Sequence, residues 1–212
     1  VLAVGEIQTM SGEAQSRTDI VIPAPQMALA EAVAATGKPM VVLLRHGRAL
    51  ALHGAVKDAQ AILATWFLGS MSGMATADIL FGLASPSARL PCSFPYESGQ
   101  EPLYYAHKNT GRPNPPGPRV AYKAHYRDAP NAALYPFGHG LTYGEIVYSA
   151  IDMGTGRLSA GGELTVTAML RNSGRHEATE VAQLYVQDIT ASITRPVREL
   201  KAFQRVTIKP GE

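Results

Sequence analysis

The sequence predicts an α/β protein in two parts: an α/β/α sandwich with a mostly parallel sheet, followed by a truncated β-sandwich. The first part rests on short apolar strands that alternate with helical patterns through residues 1–95. A strand that is apolar throughout is typical of a parallel sheet buried on both faces. The second part rests on β-rich segments after Tyr143, where fewer residues remain than the roughly 100 that a complete β-sandwich needs.

The elements of the first part are expected in strand–helix–strand order. Pro23 suits the first turn of a helix, and Gly37 is a typical residue just past a helix end. Residues 40–44 are apolar at every position, as a central parallel strand requires. We therefore predict helices at 23–35 and 73–81, and strands at 1–4, 40–44, 61–67 and 90–94.

The periodic pattern is lost between residues 96 and 143. This segment is rich in proline and glycine, most densely at 109–119, yet it holds six of the nine tyrosines between Tyr104 and Tyr143. A flexible linker would be poor in aromatic residues. We therefore predict a long ordered loop that packs against a domain, and loops of that length are usually functional.

The pattern becomes β-rich after residue 144. Turn signals at 159–162 and 172–174 separate the β-rich segments, which fall at 146–151, 164–170, 181–186 and 203–208. This spacing favours an immunoglobulin-like or fibronectin-like sandwich. Three domains or segments are therefore expected, at 1–95, 96–143 and 144–212, the last one incomplete.

Composition excludes several classes of function. A net charge of +2 gives no sign of a nucleic-acid-binding face, and no apolar run approaches the roughly 20 residues of a membrane span. The single cysteine, Cys92, excludes an internal disulfide, and the six histidines show no pairing at metal-ligand spacing. Dinucleotide and phosphate-loop motifs are also missing. We therefore expect no metal, no cofactor, no nucleic acid and no membrane.

The positive signal is the loop after the first predicted strand, residues 5–17. Ligands of open α/β sheets bind beyond the carboxyl ends of the strands, where this loop begins. It contains Glu6 and Glu13, and a glutamate on a partly dry loop can serve as a general acid. Arg17 lies four residues after Glu13, so a solvated ion pair between them is the simpler interpretation from spacing alone.

Six segments carry a resemblance to a known family: TMSGEAQSRTDIVIP (9–23), TGKPMVVLLRHGRAL (36–50), ILATWFLGSMSGMATADILFG (62–82), PSARLPCSFP (86–95), YYAHKNTGRP (104–113) and LYPFGHGLTY (134–143). In order and spacing they resemble the C-terminal half of family 3 glycoside hydrolases, and most of all the bacterial periplasmic β-glucosidases in that family. Residues 179–212 are similar to the fibronectin type III-like domain that ends those enzymes. The resemblance covers essentially the whole chain.

The resemblance implies a mechanism and a site. Such enzymes combine a (β/α)₈ barrel, which supplies an aspartate nucleophile, with an α/β sandwich whose loop supplies a glutamate acid/base. In this sequence that glutamate matches Glu13, and Arg17 matches the arginine that follows it. The candidate substrate-binding residues are Arg17 on this loop and Arg45, His46 and Trp66 at the ends of predicted strands. The alternatives are structural pairing for Arg45 and His46 and core packing for Trp66. His46 stands where close relatives often carry asparagine.

The implied parent is a retaining β-glycosidase, a β-glucosidase that hydrolyses terminal non-reducing β-D-glucosyl residues of β-glucosides or oligosaccharides. It would be periplasmic or secreted, need no cofactor, and be compatible with a homodimer. A barrel needs about 250 residues, more than this chain has, so the chain is expected to be a fragment that is inactive alone. The alternative is a noncatalytic carbohydrate-binding or scaffold protein derived from the same family.

Overall fold

The computed structural model describes residues 1–114 and 117–212 and divides the chain into two compact units. Unit 1 comprises residues 1–77, 90–139 and 185–200, and unit 2 comprises residues 78–89, 140–184 and 201–212. Part of the proline-rich stretch predicted to belong to an ordered loop, residues 115 and 116, lies outside the described residues. The domain boundaries expected from the sequence stay a prediction.

Unit 1 is built on a three-stranded parallel sheet in the order β1–β2–β3, which confirms the α/β prediction. Its strands are β1 (Leu2–Gly5), β2 (Val41–Arg45) and β3 (Ala61–Ala64), and Val4 of β1 lies opposite Leu44 of β2. Helices α1 (Ala24–Ala34) and α2 (Gly54–Lys57) belong to unit 1, while α3 (Ser72–Leu80) begins in unit 1 and ends in unit 2. The sequence interpretation missed α2, a single turn too short to show a helical period.

The core of unit 1 forms around the central strand. Val42 and Leu44 of β2 are fully buried, as an apolar strand between two neighbours requires. Buried side chains from the segments that follow the strands and from α1 pack against them: Ile22, Ala30, Leu50, Leu52, Val56 and Phe94. This core anchors the carboxyl ends of the three strands, from which the loops of the candidate site emerge.

The predicted strand at 90–94 is wrong. Its residues join no sheet, and Phe94 instead forms an isolated antiparallel bridge with Tyr135. Leu90 is paired in the same way, since its amide donates to the His139 carbonyl at 2.8 Å. Pro91 within this stretch and Pro95 directly after it have no N–H to donate, which disfavours a continuous ladder in the middle of a sheet.

A buried glutamine connects separate parts of the long loop that begins at residue 96. The Gln100 side chain accepts the amide hydrogen of Tyr96 at 2.6 Å and donates to the Pro130 carbonyl at 2.8 Å. Farther along, the Tyr105 ring stacks on Phe137 with 4.2 Å between centroids. These contacts join the two ends of the loop within unit 1 and give Tyr105 and Phe137 a packing role, whereas most tyrosines of the loop stay exposed.

Unit 2 contains the antiparallel pair β4 (Ile146–Tyr148) and β5 (Leu170–Asn172). The strands β6 (Ala178–Val186) and β7 (Glu199–Ile208) form a second two-stranded sheet. The predicted strand at 146–151 is too long, and the strand predicted at 164–170 lies too early in the chain, because β5 begins only at Leu170. Most side chains of 164–169 stay exposed, and exposed apolar residues gain little from an extended pairing.

A charged cluster links three segments of unit 2. Arg89 forms a 2.5 Å ion pair with Glu180, and both side chains are about nine-tenths buried. The Tyr148 hydroxyl donates to the other Glu180 oxygen at 3.0 Å. Burial, the Glu180 charge and this hydrogen bond raise the pKa of Tyr148 to about 12, against the weaker opposing effect of Arg89.

We expect one tyrosine of the chain to ionise near pH 12 and to be identified by its loss in Tyr148→Phe, measured as absorbance at 295 nm. The pKa in the folded state is above the ordinary value of 10, so its contribution to stability is present below about pH 10 and is lost as pH rises through about 12. Glu180→Gln should lower the pKa of Tyr148, whereas Glu163→Gln, at an exposed position, should not. A Tyr148 step at pH 10 would contradict this assignment.

Candidate active site at the carboxyl ends of the strands

The residues singled out from the sequence lie on segments that leave the same edge of the sheet. The loop with Glu13 and Arg17 follows β1, Arg45 ends β2 with His46 directly after it, and Trp66 comes two residues after β3. In a parallel sheet these carboxyl ends lie side by side, and ligands bind in the crevice beyond them. The parallel topology therefore brings the predicted site residues to one edge.

The first turn after β1 depends on a glycine. Gly5 has φ +135°, and a Cβ atom there would overlap the carbonyl oxygen of Arg45. That oxygen instead accepts the amide hydrogen of Glu6 at 2.8 Å, while the Gly5 amide donates to the Gln26 side chain at 2.7 Å. The close approach of β1 and β2 at this point fixes the position of Glu6 next to the end of β2.

Glu6 is a buried carboxylate with two arginine partners. Its side chain has no exposed surface; Arg17 Nη1 lies 2.6 Å from Oε1, and Arg48 Nε lies 3.3 Å from Oε2. The pair between Glu13 and Arg17 that spacing favoured is therefore wrong, since Arg17 is bound to Glu6. A buried charge without a partner costs far more than a solvated one, so the arginine pairs with the buried glutamate.

Arg48, a residue that sequence reasoning did not single out, also binds the backbone of the loop. Its Nη2 donates to the carbonyls of Met10 at 2.6 Å and Gln15 at 2.7 Å. The sequence feature that could have identified Arg48 is its position three residues after β2, at the edge of the sheet where the loop after β1 begins. Nothing local to residues 46–48 indicates which carbonyls the guanidinium binds.

Glu13 itself is exposed and forms no hydrogen bond or ion pair within the described ranges 1–114 and 117–212. Its neighbours Gly12 and Ala14 both have positive φ, +110° and +58°. This backbone turns the segment sharply between the two carbonyls that Arg48 binds and leaves the carboxylate facing solvent. Arg45 is exposed at the same edge, and it has no ion pair in the part of the chain that the structure describes.

His46 is fully buried in an aromatic layer. Its ring lies 4.2 Å from Trp66 and 5.4 Å from Phe94, measured between centroids. Burial lowers the pKa of His46, although the hydrogen bond to the Arg48 carbonyl and the Glu6 charge oppose this effect. The neutral ring donates from Nδ1 to that carbonyl at 2.8 Å. With no exposed surface, His46 packs within this layer, and its contact with a substrate stays a prediction.

Trp66 has features of both alternatives given for it, core packing and exposure at the substrate-binding edge. It is partly buried and packs against the core of unit 1, but it keeps some exposed surface at the edge of the sheet. Its φ of +53° is a left-handed conformation that costs a bulky residue on the order of 1–3 kcal/mol. Such strain occurs where the surrounding structure holds a side chain in place, here next to His46.

The described residues contain no group of three or more histidine, cysteine, aspartate or glutamate side chains arranged to hold a metal ion. Within the same residues, no helix has both the length and the apolar character needed to span a bilayer.

Gly5→Ala should destabilise unit 1 by about 3 kcal/mol, because the added methyl group meets backbone rather than a movable side chain. Urea unfolding followed by fluorescence of Trp66, the only tryptophan, measures this effect. Gly69→Ala is the matched control, since its Cβ would meet nothing within 4 Å and should change stability by less than about 0.5 kcal/mol. Equal effects of the two substitutions would contradict the close approach at Gly5.

Protonation of His46 should quench Trp66 fluorescence at a pH below 6.5, the ordinary value for histidine. A pKa lowered by folding means that the contribution of neutral His46 to stability is present above pH 6.5 and is lost as pH falls through the lowered value. His46→Asn should abolish the quenching step, while His176→Asn should leave it unchanged. A step at or above pH 6.5 in the unaltered chain would argue against burial of a neutral ring.

Comparison with known proteins agrees with the fold and the family expected from the sequence. Residues 1–143 match the glycosyl hydrolase family 3 C-terminal domain, and residues 180–212 match a fibronectin type III-like domain. Across the whole chain, 47% of residues are identical to a periplasmic beta-glucosidase of Salmonella typhimurium, and 37% to a beta-xylosidase of Formosa agariphila. A crystal structure of a beta-glucosidase from Listeria innocua in complex with gluconolactone matches with a TM-score of 0.92 and 43% identity.

The match is complete for this chain but partial for its relatives. The chain spans 28% of the length of the Salmonella and Formosa proteins and 29% of the Listeria chain, while all of its own residues are covered. The fold prediction, an α/β part followed by a fibronectin type III-like part, is confirmed by the two domain matches and by the solved structure.

Proposed function

The chain belongs to glycoside hydrolase family 3 through its C-terminal domain, and from this membership we propose that it is the acid/base-bearing part of a retaining β-glucosidase. The substrate class is β-glucosides or oligosaccharides with a terminal non-reducing β-D-glucosyl residue. Relatives named beta-glucosidases, one of them periplasmic, support the activity and a periplasmic or secreted location. The observation that carries the proposal is the exposed Glu13 on a loop whose backbone is bound on both sides.

The two glutamates of the loop have different capacities for proton transfer. Both oxygens of Glu6 bind guanidinium groups, and no part of its side chain is exposed. Glu13 is open to solvent, so a glycosidic oxygen and a water molecule can both reach it. An acid/base residue must contact the leaving oxygen and later the attacking water, which makes Glu13 the suitable carboxylate.

The reaction needs a second carboxyl group, roughly 5–5.5 Å from the first, that attacks the anomeric carbon. We assign this nucleophile to an aspartate of a barrel domain outside this chain. Glu13 donates its proton to the departing oxygen while the aspartate forms the glycosyl ester, and Glu13 then removes a proton from the water that hydrolyses the ester. Without the nucleophile the covalent step does not occur, so the 212-residue chain alone is expected to be inactive.

With the barrel domain present, Glu13→Gln should lower kcat by about 10³-fold on glucosides with poor leaving groups. Activated aryl glucosides leave without protonation, so formation of the glycosyl ester from them should change little. Sodium azide should then accelerate turnover of the variant and yield a β-glucosyl azide, because this anion needs no general base.

Glu177→Gln, at an exposed position of unit 2, is the control and should behave like the unaltered protein. Equal losses on both classes of substrate, with no rescue by azide, would argue against the acid/base role of Glu13. A complete protein that binds glucosides but hydrolyses none of them would instead favour the noncatalytic alternative.

A further inference from the structure

We propose that Arg48 is a positioning residue that holds the loop carrying Glu13, and that Glu6 is its buried counter-charge rather than a second catalytic carboxylate. The inference rests on the proposed function of Glu13. It assigns to both residues a role that acts through the position of Glu13, and it predicts how their loss differs from loss of Glu13 itself.

The guanidinium of Arg48 closes the loop at its base. Nη2 binds the carbonyls of Met10 and Gln15, which lie on either side of the turn that presents Glu13, and Nε binds Glu6. Arginine offers five N–H donors in a planar fork, so one side chain can satisfy carbonyl and carboxylate partners in different directions. Lysine keeps the charge, but its three N–H donors share one nitrogen and have no fixed plane, so it cannot bind all three partners in the same way.

The loop has few restraints of its own. A short 3-10 turn spans Gln8–Met10, and beyond it one backbone hydrogen bond closes the turn, from the Gln15 amide to the Gly12 carbonyl at 3.2 Å. Ala14 is left-handed, a backbone conformation that is unfavourable for an L-residue with a Cβ atom. A loop with this backbone keeps its shape when bonds from outside the loop stabilise it, and Arg48 supplies two of them.

The backbone of Arg48 is in turn fixed by a hydrogen bond from His46. The His46 ring donates to the Arg48 carbonyl at 2.8 Å, which connects the turn after β2 to the aromatic layer with Trp66. Gly47 lies so close to the loop that a Cβ atom there would overlap the Ser11 side chain. The turn after β2 is therefore a rigid support against which the loop after β1 is placed, with Glu6 neutralising charge between them.

The kinetic consequence differs from simple loss of stability. A lower folded fraction reduces the rate on every substrate by the same factor. A displaced Glu13 reduces the rate only where protonation of the leaving group matters, and a displacement of about 1 Å can cost roughly 10²-fold. Leaving-group dependence therefore separates a positioning role from a merely structural one.

The test compares Arg48→Lys with Arg157→Lys, an exposed arginine of unit 2, in the protein with its barrel domain present. Arg48→Lys should lower kcat about 30-fold on glucosides with poor leaving groups and less than about 3-fold on activated aryl glucosides, with KM little changed. Arg157→Lys should change neither. Equal losses on both substrate classes, or no loss, would overturn the positioning role.

Glu6→Gln provides a second, milder variant in case Arg48→Lys folds poorly. It should show the same leaving-group dependence, and the double variant Glu6→Gln/Arg48→Lys should lose little more than the worse single variant, because both act through one contact. Additive losses would mean that Glu6 and Arg48 act separately, which contradicts the inference.

Hydrogen exchange tests the loop without using activity. In Arg48→Lys the Gln15 amide, which donates to the Gly12 carbonyl, should exchange at least about 10-fold faster, while the amides of the central strand β2 should be unchanged. If Glu13→Gln shows no leaving-group effect but exchange of the Gln15 amide rises as expected, the proposed function fails while the restraint by Arg48 stands. If Glu13→Gln behaves as expected and Arg48→Lys changes neither exchange nor kcat, the positioning role alone fails.

Discussion

The buried carboxylate of Glu6 is the constraint around which the edge of the sheet is arranged. A carboxylate without exposed surface requires opposite charge within contact, and Arg17 and Arg48 provide it from two different segments. One arginine comes from the far end of the loop and the other from the turn after β2, so neutralising one charge also closes the loop. The glycine before Glu6 is part of the same requirement, because only a residue without Cβ lets β1 approach the Arg45 carbonyl.

Burial separates the roles of the two glutamates. Glu6 has its oxygens saturated by guanidinium groups and serves as an anchor, while Glu13 keeps its carboxylate in solvent on a turn with positive φ on both sides. A group that exchanges protons has to be accessible, but it must also be placed to within a fraction of an ångström. The buried Glu6 and its arginine partners fix the loop, while Glu13, the proposed acid/base, stays accessible to solvent.

The aromatic layer of His46, Trp66 and Phe94 packs against this arrangement. His46, Trp66 and Phe94 pack ring against ring under the turn that carries Arg48, and His46 contributes a hydrogen bond to that turn as well. Phe94 reaches this layer from the segment 90–94, which pairs with the long tyrosine-rich loop instead of joining the sheet. Pro91 within the segment and Pro95 after it favour that isolated pairing over a ladder, and the same pairing connects Tyr135 of the long loop to the core of unit 1.

The sequence by itself determined the parallel sheet, the two main helices, the family and Glu13 as the candidate acid/base, because runs of apolar residues, helical spacing and family motifs are local or lie in chain order. Tertiary structure decided that Arg17 binds Glu6 rather than Glu13, that Arg48 braces the loop, that His46 is buried, and that residues 90–94 do not form a strand. These features depend on which strand ends meet and on how dry each contact is. Spacing along the chain specifies neither the neighbouring strand ends nor the solvent exposure of a contact. The ion-pair partner of a buried charge is set by the residues that tertiary packing brings next to it.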